Sequence, residues 1–336
     1  MQEPYWEVSC QHPASRRKLE LAISSEGCSN VRIAITGATG FIGSRLCRAL
    51  KERGDEVIAI TRDTARAAAV LPPKTEVISW DPTSDAPSAL KMPRIDAVVH
   101  LAGASIAGRW NKERKLAIYE SRIVGTRKLV ESLEAQAERP RTLINGSAIG
   151  YYGDRGDESL DEDSSVGQGF LAEVCLAWET EAMRAEDLGL RVVRIRTGVV
   201  LGPDGGALKA MIAPYRLGLG GRLGSGRQWM SWIHLDDEVG LIIHAIDREE
   251  VSGALNAAAP NPVTNREFAR NLGDVLGRPA ILPAPAFALR LALGEAATMV
   301  LEGQRVSAQK ALSTGYEFRY QSLGPALVSI LNPSKS

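Results

Sequence analysis

Three glycines in the segment VRIAITGATGFIG, residues 31–43, have the spacing of a turn that binds phosphate groups. Gly37, Gly40 and Gly43 recur at every third residue, directly after a short apolar run. A pyrophosphate can approach the N-terminus of a helix only where no Cβ blocks the free N–H groups, and the helix dipole there favours an anion. The segment therefore predicts a nucleotide-phosphate site. The alternative is a plain strand-to-helix turn in which the glycines are incidental.

The residues around these glycines predict the elements that position such a site. The β-branched run 31–35 is too short for a helix and indicates a buried strand. Ile42, Leu46 and Leu50 then recur every four residues, as on one face of an amphipathic helix. After a stop signal at Gly54, a second apolar run begins. A strand, a glycine turn, a helix and a second strand within about thirty residues are the context that a dinucleotide-binding fold requires.

The end of the second strand bears on which dinucleotide would bind. An enzyme that selects NAD usually places a carboxylate there, which accepts a hydrogen bond from the 2′-hydroxyl of the ribose. Here the positions hold Thr61 and Arg62, a hydroxyl and a guanidinium that suit a 2′-phosphate. Asp63 lies two positions late. We therefore predict NADP(H) in preference to NAD(H), with an exposed loop arginine as the alternative reading of Arg62.

Other predicted strand ends supply further candidate cofactor contacts. Trp80 is expected to form a wall of the adenine pocket, and the small residues of Leu101-Ala102-Gly103 would let the ribose pack closely. His100, inside an apolar run, is expected to be a core residue. Arg122 falls near the buried side of a predicted helix, where its charge needs either the cofactor or an ion-pair partner. The predicted cofactor contacts are Gly37, Thr39, Gly40, Phe41, Ile42, Gly43, Thr61, Arg62, Trp80, Leu101, Ala102, Gly103, Arg122 and Val199.

Composition excludes several classes of partner. The 336 residues contain 40 basic and 40 acidic side chains, so no charge excess favours nucleic acid or an anionic membrane. No apolar run reaches membrane-spanning length. The four cysteines and four histidines show no metal-ligand spacing or paired framework, which predicts free thiols, a reducing cytoplasmic location and no metal. The expected partner is a small-molecule substrate, bound by a monomer or a homodimer.

Residues 31 to about 280 resemble the extended short-chain dehydrogenases/reductases in several motifs that occur in the family's order. The motifs are TGATGFIG (36–43), HLAG (100–103), GYYGD (150–154), RTGVVLGP (196–203), WIHLDDEV (232–239) and NPVTNREFARNLGDVLGRP (261–279). More narrowly, RTGVVLGPDGG, RLGLGG, GSGRQ and LEGQRVSAQKAL (301–312) are similar to the atypical, epimerase-like YfcH-like family, which ends in a C-terminal domain of unknown function. This resemblance implies a dinucleotide-dependent oxidoreductase or epimerase.

The chain departs from that family at the residues that move protons. In active members a tyrosine precedes a lysine by four residues, and the lysine lowers the phenol pKa from about 10 towards neutrality. When Glu179 is matched to the family pattern, Leu171 takes the tyrosine position and Cys175 the lysine position. The serine position holds Ala148, with Ser147 one residue earlier. The resemblance therefore implies a cofactor site without the usual tyrosine–lysine relay.

Several side chains could replace that relay. Cys175 could act as a thiolate, but an apolar helix face would raise its pKa and favours a structural role. Tyr151 or Tyr152 could supply a phenol from the other wall, or could simply pack. The candidate catalytic residues are Cys175, Tyr151 and Ser147. Two functions remain open: an NADP(H)-dependent oxidoreductase or epimerase-like enzyme of unknown substrate, or a non-catalytic NADP(H)-binding redox sensor or regulatory protein.

The predicted fold class is α/β: a Rossmann, doubly wound parallel sheet of six or seven strands with a smaller C-terminal α/β substrate lobe. Residues 31–203 form the dinucleotide-binding domain, to which 228–260 is expected to return. Residues 204–336 are expected to form the lobe over the substrate cleft, with the last fifty residues or so mainly helical. The glycine-rich segment 218–226 suits a substrate lid, and tight turns inside a small domain are the alternative. Residues 1–30 are expected to be a disordered tail or an extension upstream of the native start.

Overall fold

The computed structural model describes residues 30–203 and 205–332 of the chain. The prediction for the N-terminal tail therefore falls outside the described residues, except at Asn30. The strands are β1 Arg32–Thr36, β2 Glu56–Thr61, β3 Glu76–Ser79, β4 Ala97–His100, β5 Thr142–Ala148, β6 Ser159–Leu160, β7 Arg191–Thr197, β8 Val199–Leu201, β9 Trp229–Met230, β10 Trp232–His234, β11 Gly253–Ala257, β12 Val263–Thr264 and β13 Arg305–Val306. The helices are α1 Phe41–Arg53, α2 Thr64–Val70, α3 Lys112–Glu134, α4 Phe170–Met183, α5 Gly206–Arg216, α6 Leu235–Asp247, α7 Asn265–Leu276, α8 Ala286–Leu293, α9 Thr298–Leu301, α10 Gln309–Ser313 and α11 Leu323–Leu331.

A seven-stranded parallel sheet forms the centre of the fold. Its strand order is β11-β7-β5-β4-β1-β2-β3. The order reverses direction on either side of β1, so the carboxyl ends of β1 and β4 border a crevice of the kind in which open α/β sheets bind ligands. The predicted fold class, a doubly wound parallel sheet, is confirmed.

Two apolar layers cover the sheet. On one face α1 and α6 pack through Leu46, Leu50 and Ile242 against the β-branched residues of the strands. On the other face α3 contributes Leu129 and Leu133 to a second cluster. Parallel strands that are buried on both faces read as continuous apolar runs, which is why the sequence identified most of them.

Strand β5 is longer than its sequence suggests. From the sequence alone we predict this strand over residues 141–145, ending at Asn145. In the structure residues 146–148 continue the ladder with β7, and Ala148 lies opposite Thr197. The hydrogen bonds of the neighbouring strand, which local sequence cannot report, extend β5 and carry Ser147 into the sheet.

Beyond Pro203 the chain contributes both to the sheet and to a separate core. Strand β11 pairs with β7 as an edge strand of the central sheet. A third apolar cluster joins α5, α7 and α11 through Leu208, Phe268 and Leu327. No helix within the described ranges is both long and apolar enough to cross a membrane.

Candidate functional site

The three glycines form a cradle at the N-terminus of α1. Gly37 has a φ of +69°, and a Cβ at this position would lie 2.7 Å from the carbonyl carbon of Leu101. A Cβ on Gly43 would collide with the Gly37 carbonyl oxygen and lie 2.9 Å from the Ala38 Cα. Neither an acidic residue of the first turn nor a capping side chain satisfies the N–H groups that α1 presents beside Gly40. The residues present therefore fit a phosphate-bearing ligand, because the glycines let the turn pack tightly and the N–H groups at the start of α1 have no capping side chain.

The carboxylate that could select NAD is engaged elsewhere. Asp63 caps α2 and accepts a hydrogen bond from the Arg66 N–H at 2.9 Å. The Thr61 hydroxyl accepts from the Asp63 N–H at 3.2 Å. Arg62 is exposed, and its guanidinium lies 3.8 Å from Asp81. The candidate adenine–ribose end of the site is thus bordered by an exposed guanidinium with a long ion pair to Asp81, rather than by a free carboxylate.

Arg66 is a candidate that the sequence analysis missed. Its Nη2 donates to the carbonyl of Thr39 at 3.4 Å, which brings a second guanidinium to the glycine turn. The signal that could have identified it is its position two residues inside α2, directly above the end of β2.

The structure overturns the expectation that Trp80 forms a wall of the adenine pocket. Its side chain is only 1% exposed and packs against Leu90, Ile95 and Val98 in the core. The indole N–H donates to the Ala86 carbonyl at 3.3 Å. A loop covers the indole and supplies this acceptor, so the side chain is turned away from the crevice.

His100 is a core residue, as predicted. Its Nδ1 lies 2.6 Å from the Thr36 hydroxyl and its Nε2 lies 3.0 Å from the Thr126 hydroxyl. Burial, and to a lesser degree the nearby charge of Arg122, lowers the pKa of His100 to about 4. The Thr36 hydroxyl also accepts from the Ala102 N–H at 3.3 Å, so this neutral histidine fixes the end of β4 beside the cradle.

Arg122 is a half-buried guanidinium that lies against Gly103. A Cβ on Gly103 would lie 3.1 Å from the guanidinium carbon, and that carbon lies 5.1 Å from the centroid of the Trp178 ring. Its Nη1 donates to the carbonyls of Ala104 and Ile118 rather than to a carboxylate. Burial lowers the pKa of Arg122 from its ordinary value. The positive charge is therefore concentrated at the end of β4 without a bonded anion.

Phe41 connects the cradle to the segment after β8. Its ring lies where a Cβ on Gly202, Gly205 or Gly206 would stand. Val199 is half-buried in β8, and its N–H donates to the Ser231 carbonyl at 2.8 Å. Phe41 at the start of α1 therefore packs against the segment that follows β8.

A buried polar network joins β5, α4 and β7 and includes the candidate residue Ser147. The Ser147 hydroxyl donates to Glu179 at 2.7 Å, and Arg196 donates to the two oxygens of Glu179 at 2.9 and 3.0 Å. Arg196 also donates to the Tyr152 hydroxyl at 2.9 Å, and that hydroxyl donates to Asn256 at 2.7 Å. Burial raises the pKa of Tyr152 to about 12. Ser147 and Tyr152 are therefore engaged in structural hydrogen bonds.

The remaining candidates differ sharply in their surroundings. Cys175 is buried, and burial followed by the charge of Glu179 raises the pKa of its thiol to about 12. Leu171 packs against Gly150 near this sulfur. Tyr151 is only half-buried, and its ring lies 3.6 Å from the guanidinium carbon of Arg196. Among the candidates named from sequence, Tyr151 alone is not buried.

Glu238 is a second residue that the sequence analysis missed. It is fully buried on α6, and the Thr197 hydroxyl donates to its Oε1 at 2.8 Å. Its Oε2 has no hydrogen-bond partner among the described residues. Burial raises the pKa of Glu238 to about 8, so the side chain is mainly a neutral acid at pH 7. Glu238 follows Asp236 and Asp237 directly, so the sequence alone does not distinguish this buried carboxyl group from its two acidic neighbours.

No group of histidine, cysteine and acidic side chains within residues 30–203 and 205–332 is arranged to hold a metal ion. Cys47 and Cys175 are free thiols, and Cys10 and Cys28 lie outside the described residues. The polar residues that converge here suit a nucleotide rather than a cation.

Comparison with known proteins gives the family of the chain. The family model described as NAD dependent epimerase/dehydratase family matches residues 33–258, and a domain of unknown function, DUF1731, matches residues 284–330. The chain is 42% identical over 328 residues to the Arabidopsis thaliana protein named "Epimerase family protein SDR39U1 homolog, chloroplastic", covering 95% of this chain and 92% of that one. It is 38% identical over 307 residues to the Bacillus subtilis epimerase family protein YfhF, covering 91% of this chain and 100% of that protein.

Solved structures of related proteins have the same fold. The human epimerase family protein SDR39U1, crystallised with NADPH, superposes with a TM-score of 0.81 at 36% identity, covering 89% of this chain and 99% of that one. MoeE5 in complex with UDP-glucose and NAD is 23% identical with a TM-score of 0.73, covering 90% and 98%, which is a likeness of fold alone. The chain therefore belongs to the NAD-dependent epimerase/dehydratase family, within the atypical short-chain dehydrogenases/reductases that carry the DUF1731 domain.

Proposed function

We propose that the chain binds NADP(H) with its pyrophosphate at the N-terminus of α1. The observation that carries this proposal is the glycine turn, where close backbone packing requires glycine at positions 37 and 43 and no side chain caps the N–H groups at the start of α1. Bound there, the nicotinamide ring supplies a hydride donor or acceptor. The protein's contribution is to orient the cofactor, with Gly103 and Arg122 at the end of β4, and to exclude water.

Two arginines support a preference for NADP(H) over NAD(H). Arg62 and Arg66 flank the end of β2, and the Asp63 carboxylate is used as a helix cap. A guanidinium binds a 2′-phosphate through charge-assisted hydrogen bonds and gains little from a 2′-hydroxyl. The combination of Arg62→Met and Arg66→Met should reduce the ratio of NADPH to NADH affinity at least tenfold and leave NADH affinity nearly unchanged.

Isothermal titration of both nucleotides measures this ratio. Arg94→Met is the matched control, because Arg94 is also exposed and pairs with Glu138 at 3.4 Å. An equal loss of NADPH and NADH affinity would contradict a role for the arginines in binding the 2′-phosphate. An unchanged ratio would contradict it too.

The reaction proposed for this site is hydride transfer between NADP(H) and a carbonyl or alcohol substrate. Tyr151 is the proposed proton donor, because it is half-exposed while Ser147 and Tyr152 are engaged in buried hydrogen bonds. Oxidation of NADPH in the presence of a carbonyl library tests the activity. Tyr151→Phe should reduce turnover at least a hundredfold while leaving NADPH affinity unchanged, since general acid catalysis contributes about 10²–10⁴.

A specific observation favours a second candidate, a non-catalytic NADP(H)-binding sensor or regulator. The family's lysine position holds a buried Cys175 whose pKa is about 12, and its tyrosine position holds Leu171. Neither side chain can move a proton near neutral pH. Tight NADPH binding without turnover across the library would favour the sensor. Turnover that Cys175→Ala leaves unchanged would favour the enzyme and exclude the thiol from its mechanism.

A further inference from the structure

Exposed apolar side chains are concentrated on two segments of the C-terminal part, 217–219 and 281–291. Helix α8 has no buried residue, and Phe287 and Leu291, which are 74% and 77% exposed, lie four residues apart on one face of it. A concentration of exposed apolar groups marks a contact with a partner or a membrane. Six of the eleven large apolar residues that are exposed among the described ones belong to the two segments: Leu217, Leu219, Ile281, Leu282, Phe287 and Leu291.

Backbone hydrogen bonds hold the two segments side by side. The Leu282 N–H donates to the Gly220 carbonyl at 3.0 Å, directly after Leu219. Two residues further on, the Ala284 N–H donates to the carbonyl of residue 222 at 2.9 Å, and the Ala284 carbonyl accepts from the N–H of residue 224 at 2.8 Å. Helix α8 begins two residues after Ala284. The two segments are therefore neighbours in space, and we call their exposed side chains the α8 surface.

The stretches of chain that build the α8 surface are basic. Residues 205–227 and 275–294 contain no aspartate or glutamate, although the whole chain contains 40 basic and 40 acidic residues. The nearest carboxylates along the chain lie just outside them, at Asp204, Asp274 and Glu295. We expected no contact with an anionic membrane from the balanced total, which does not report a local excess of one sign. The basic side chains in the two stretches are Lys209, Arg216, Arg222, Arg227, Arg278 and Arg290.

Three guanidinium groups lie beside the exposed apolar side chains. Arg216 directly precedes Leu217, and Arg278 lies three residues before the second segment. Arg109 comes from a different part of the chain, and its Nη1 donates to the Leu291 carbonyl at 3.1 Å. All three arginines are exposed, and none forms an ion pair with a carboxylate of the residues that the structure describes. The α8 surface therefore combines apolar groups with positive charges that no carboxylate neutralises.

This combination favours an anionic lipid surface over a second copy of the chain. In a twofold-symmetric dimer built on the α8 surface, the guanidinium groups of one copy would meet those of the other and repel them. Lipid phosphates neutralise such charges, and the boundary between headgroups and acyl chains accepts phenylalanine and leucine side chains without a shaped pocket. Arg290 adds little to this attraction, because it lines a pocket together with Glu295 and Glu302.

We propose that the α8 surface binds the face of an anionic phospholipid membrane. Phe287 and Leu291 enter the boundary between the headgroups and the acyl chains, and the three guanidinium groups contact lipid phosphates. The apolar side chains leave water on binding, which supplies the part of the binding free energy that does not depend on charge. This contact is peripheral, and it is independent of the proposed cofactor site.

Sedimentation of the full chain with vesicles tests the proposal. Vesicles of phosphatidylcholine and phosphatidylglycerol in equal parts are compared with vesicles of phosphatidylcholine alone. We expect saturable binding to the mixed vesicles and at least tenfold weaker binding to the neutral ones. Binding to the mixed vesicles should also weaken at least tenfold in about 1 M NaCl, where the screening length falls to about 3 Å. Absence of binding to the mixed vesicles, or equal binding to the two kinds, would overturn the proposal.

Replacement of two exposed apolar side chains locates the contact. The combination of Phe287→Gln and Leu291→Gln should weaken binding to the mixed vesicles at least tenfold, because glutamine gains little from the acyl boundary. The combination of Leu116→Gln and Tyr119→Gln is the matched control, since these side chains of α3 are 55% and 43% exposed. The control should bind vesicles as the wild type does. Equal losses in the two combinations would contradict the assignment to α8.

Replacement of two arginines tests the charges separately. The combination of Arg216→Gln and Arg278→Gln should weaken binding to the mixed vesicles at least tenfold, because each basic side chain near an anionic surface adds to the attraction. Arg94→Gln with Arg248→Gln changes the net charge equally at exposed arginines that pair with Glu138 and Glu250, and should have no effect. An equal loss in this control would contradict a local role for the charges.

Sedimentation equilibrium without vesicles examines the alternative occupant, a second copy of the chain. We expect the combination of Phe287→Gln and Leu291→Gln to leave the oligomeric state of the protein unchanged. A dimer that this combination dissociates would overturn the proposal and identify the α8 surface as a contact between subunits.

Discussion

Replacement of Glu238 by glutamine should stabilise the protein, and increasingly so as the pH rises. Glu238 is fully buried, and burial raises its pKa from an ordinary 4.5 to about 8. The folded state therefore holds a proton that the unfolded chain releases. The contribution of Glu238 to the free energy of unfolding is fully present below about pH 4.5. It is lost as the pH rises towards 8, because the folded state binds more protons than the unfolded state in that interval. The loss amounts to about 1.4 kcal/mol for each pH unit, or roughly 3 kcal/mol by pH 7.

Glutamine preserves the geometry and removes the titration. Its Oε1 can still accept the hydrogen bond from Thr197, and its amide occupies the position of the unpartnered Oε2. Urea unfolding of both proteins without cofactor, followed by fluorescence and circular dichroism, gives the free energy of unfolding at pH 5.5, 7.0 and 8.5. The difference in unfolding free energy between Glu238→Gln and the wild type should grow by more than about 2 kcal/mol across this pH range, because only the wild type loses about 1.4 kcal/mol for each pH unit. Glu249→Gln, which changes an exposed carboxylate nearby in the chain, controls for surface charge. If the unfolding free energies of the wild type and Glu238→Gln changed with pH in parallel, the claim that Glu238 is a neutral acid in the folded protein would be refuted.

Three further outcomes follow from the same contacts. Gly43→Ala should abolish NADPH binding and lower the melting temperature, because the new methyl group would collide with the carbonyl of Gly37. Arg196→Met should cost about 3–5 kcal/mol of unfolding free energy, because it leaves Glu179 buried without its main ion-pair partner; the combination with Glu179→Gln should recover part of this loss, and no recovery would contradict the pairing. Cys175 should fail to react with a disulfide reagent in the native protein at pH 8, since its thiol is buried with a pKa of about 12, and rapid labelling would contradict that environment.

The glycine turn, the parallel strands and the two-faced core could be predicted from the sequence because each has a local cause. Gly37 must adopt a positive φ against Leu101, and no other residue type does so readily. The strands are buried on both faces and so read as uninterrupted apolar runs. His100 could be assigned to the core for the same reason, and the structure confirms it.

What the sequence could not supply depends on residues that are far apart in the chain. The extension of β5 requires the ladder with β7, and the burial of Trp80 requires the loop that ends at Ala86. The network of Ser147, Glu179 and Arg196 joins three elements, so no spacing in the sequence indicates it. For the same reason, Tyr151 and Tyr152 look alike in sequence although only Tyr152 is fully buried.

The distribution of polar contacts separates two parts of the crevice. Arg66 and Arg122 donate to backbone carbonyls, and the N–H groups at the start of α1 have no capping side chain, which suits a bound nucleotide. In the network of Ser147, Glu179 and Arg196 the charges neutralise one another, because Arg196 is paired with Glu179. Cofactor binding and proton transfer therefore depend on different residues in this chain. The cofactor can bind whether another side chain transfers the proton or no proton transfer takes place.

The most direct test of the central claim is a titration of the wild-type protein with NADPH, followed by the change in nicotinamide fluorescence. The cradle at α1 predicts saturable binding of one NADPH per chain, displaced by NADP⁺ and at least tenfold tighter than binding of NADH. The absence of saturable binding by either reduced nucleotide would contradict it.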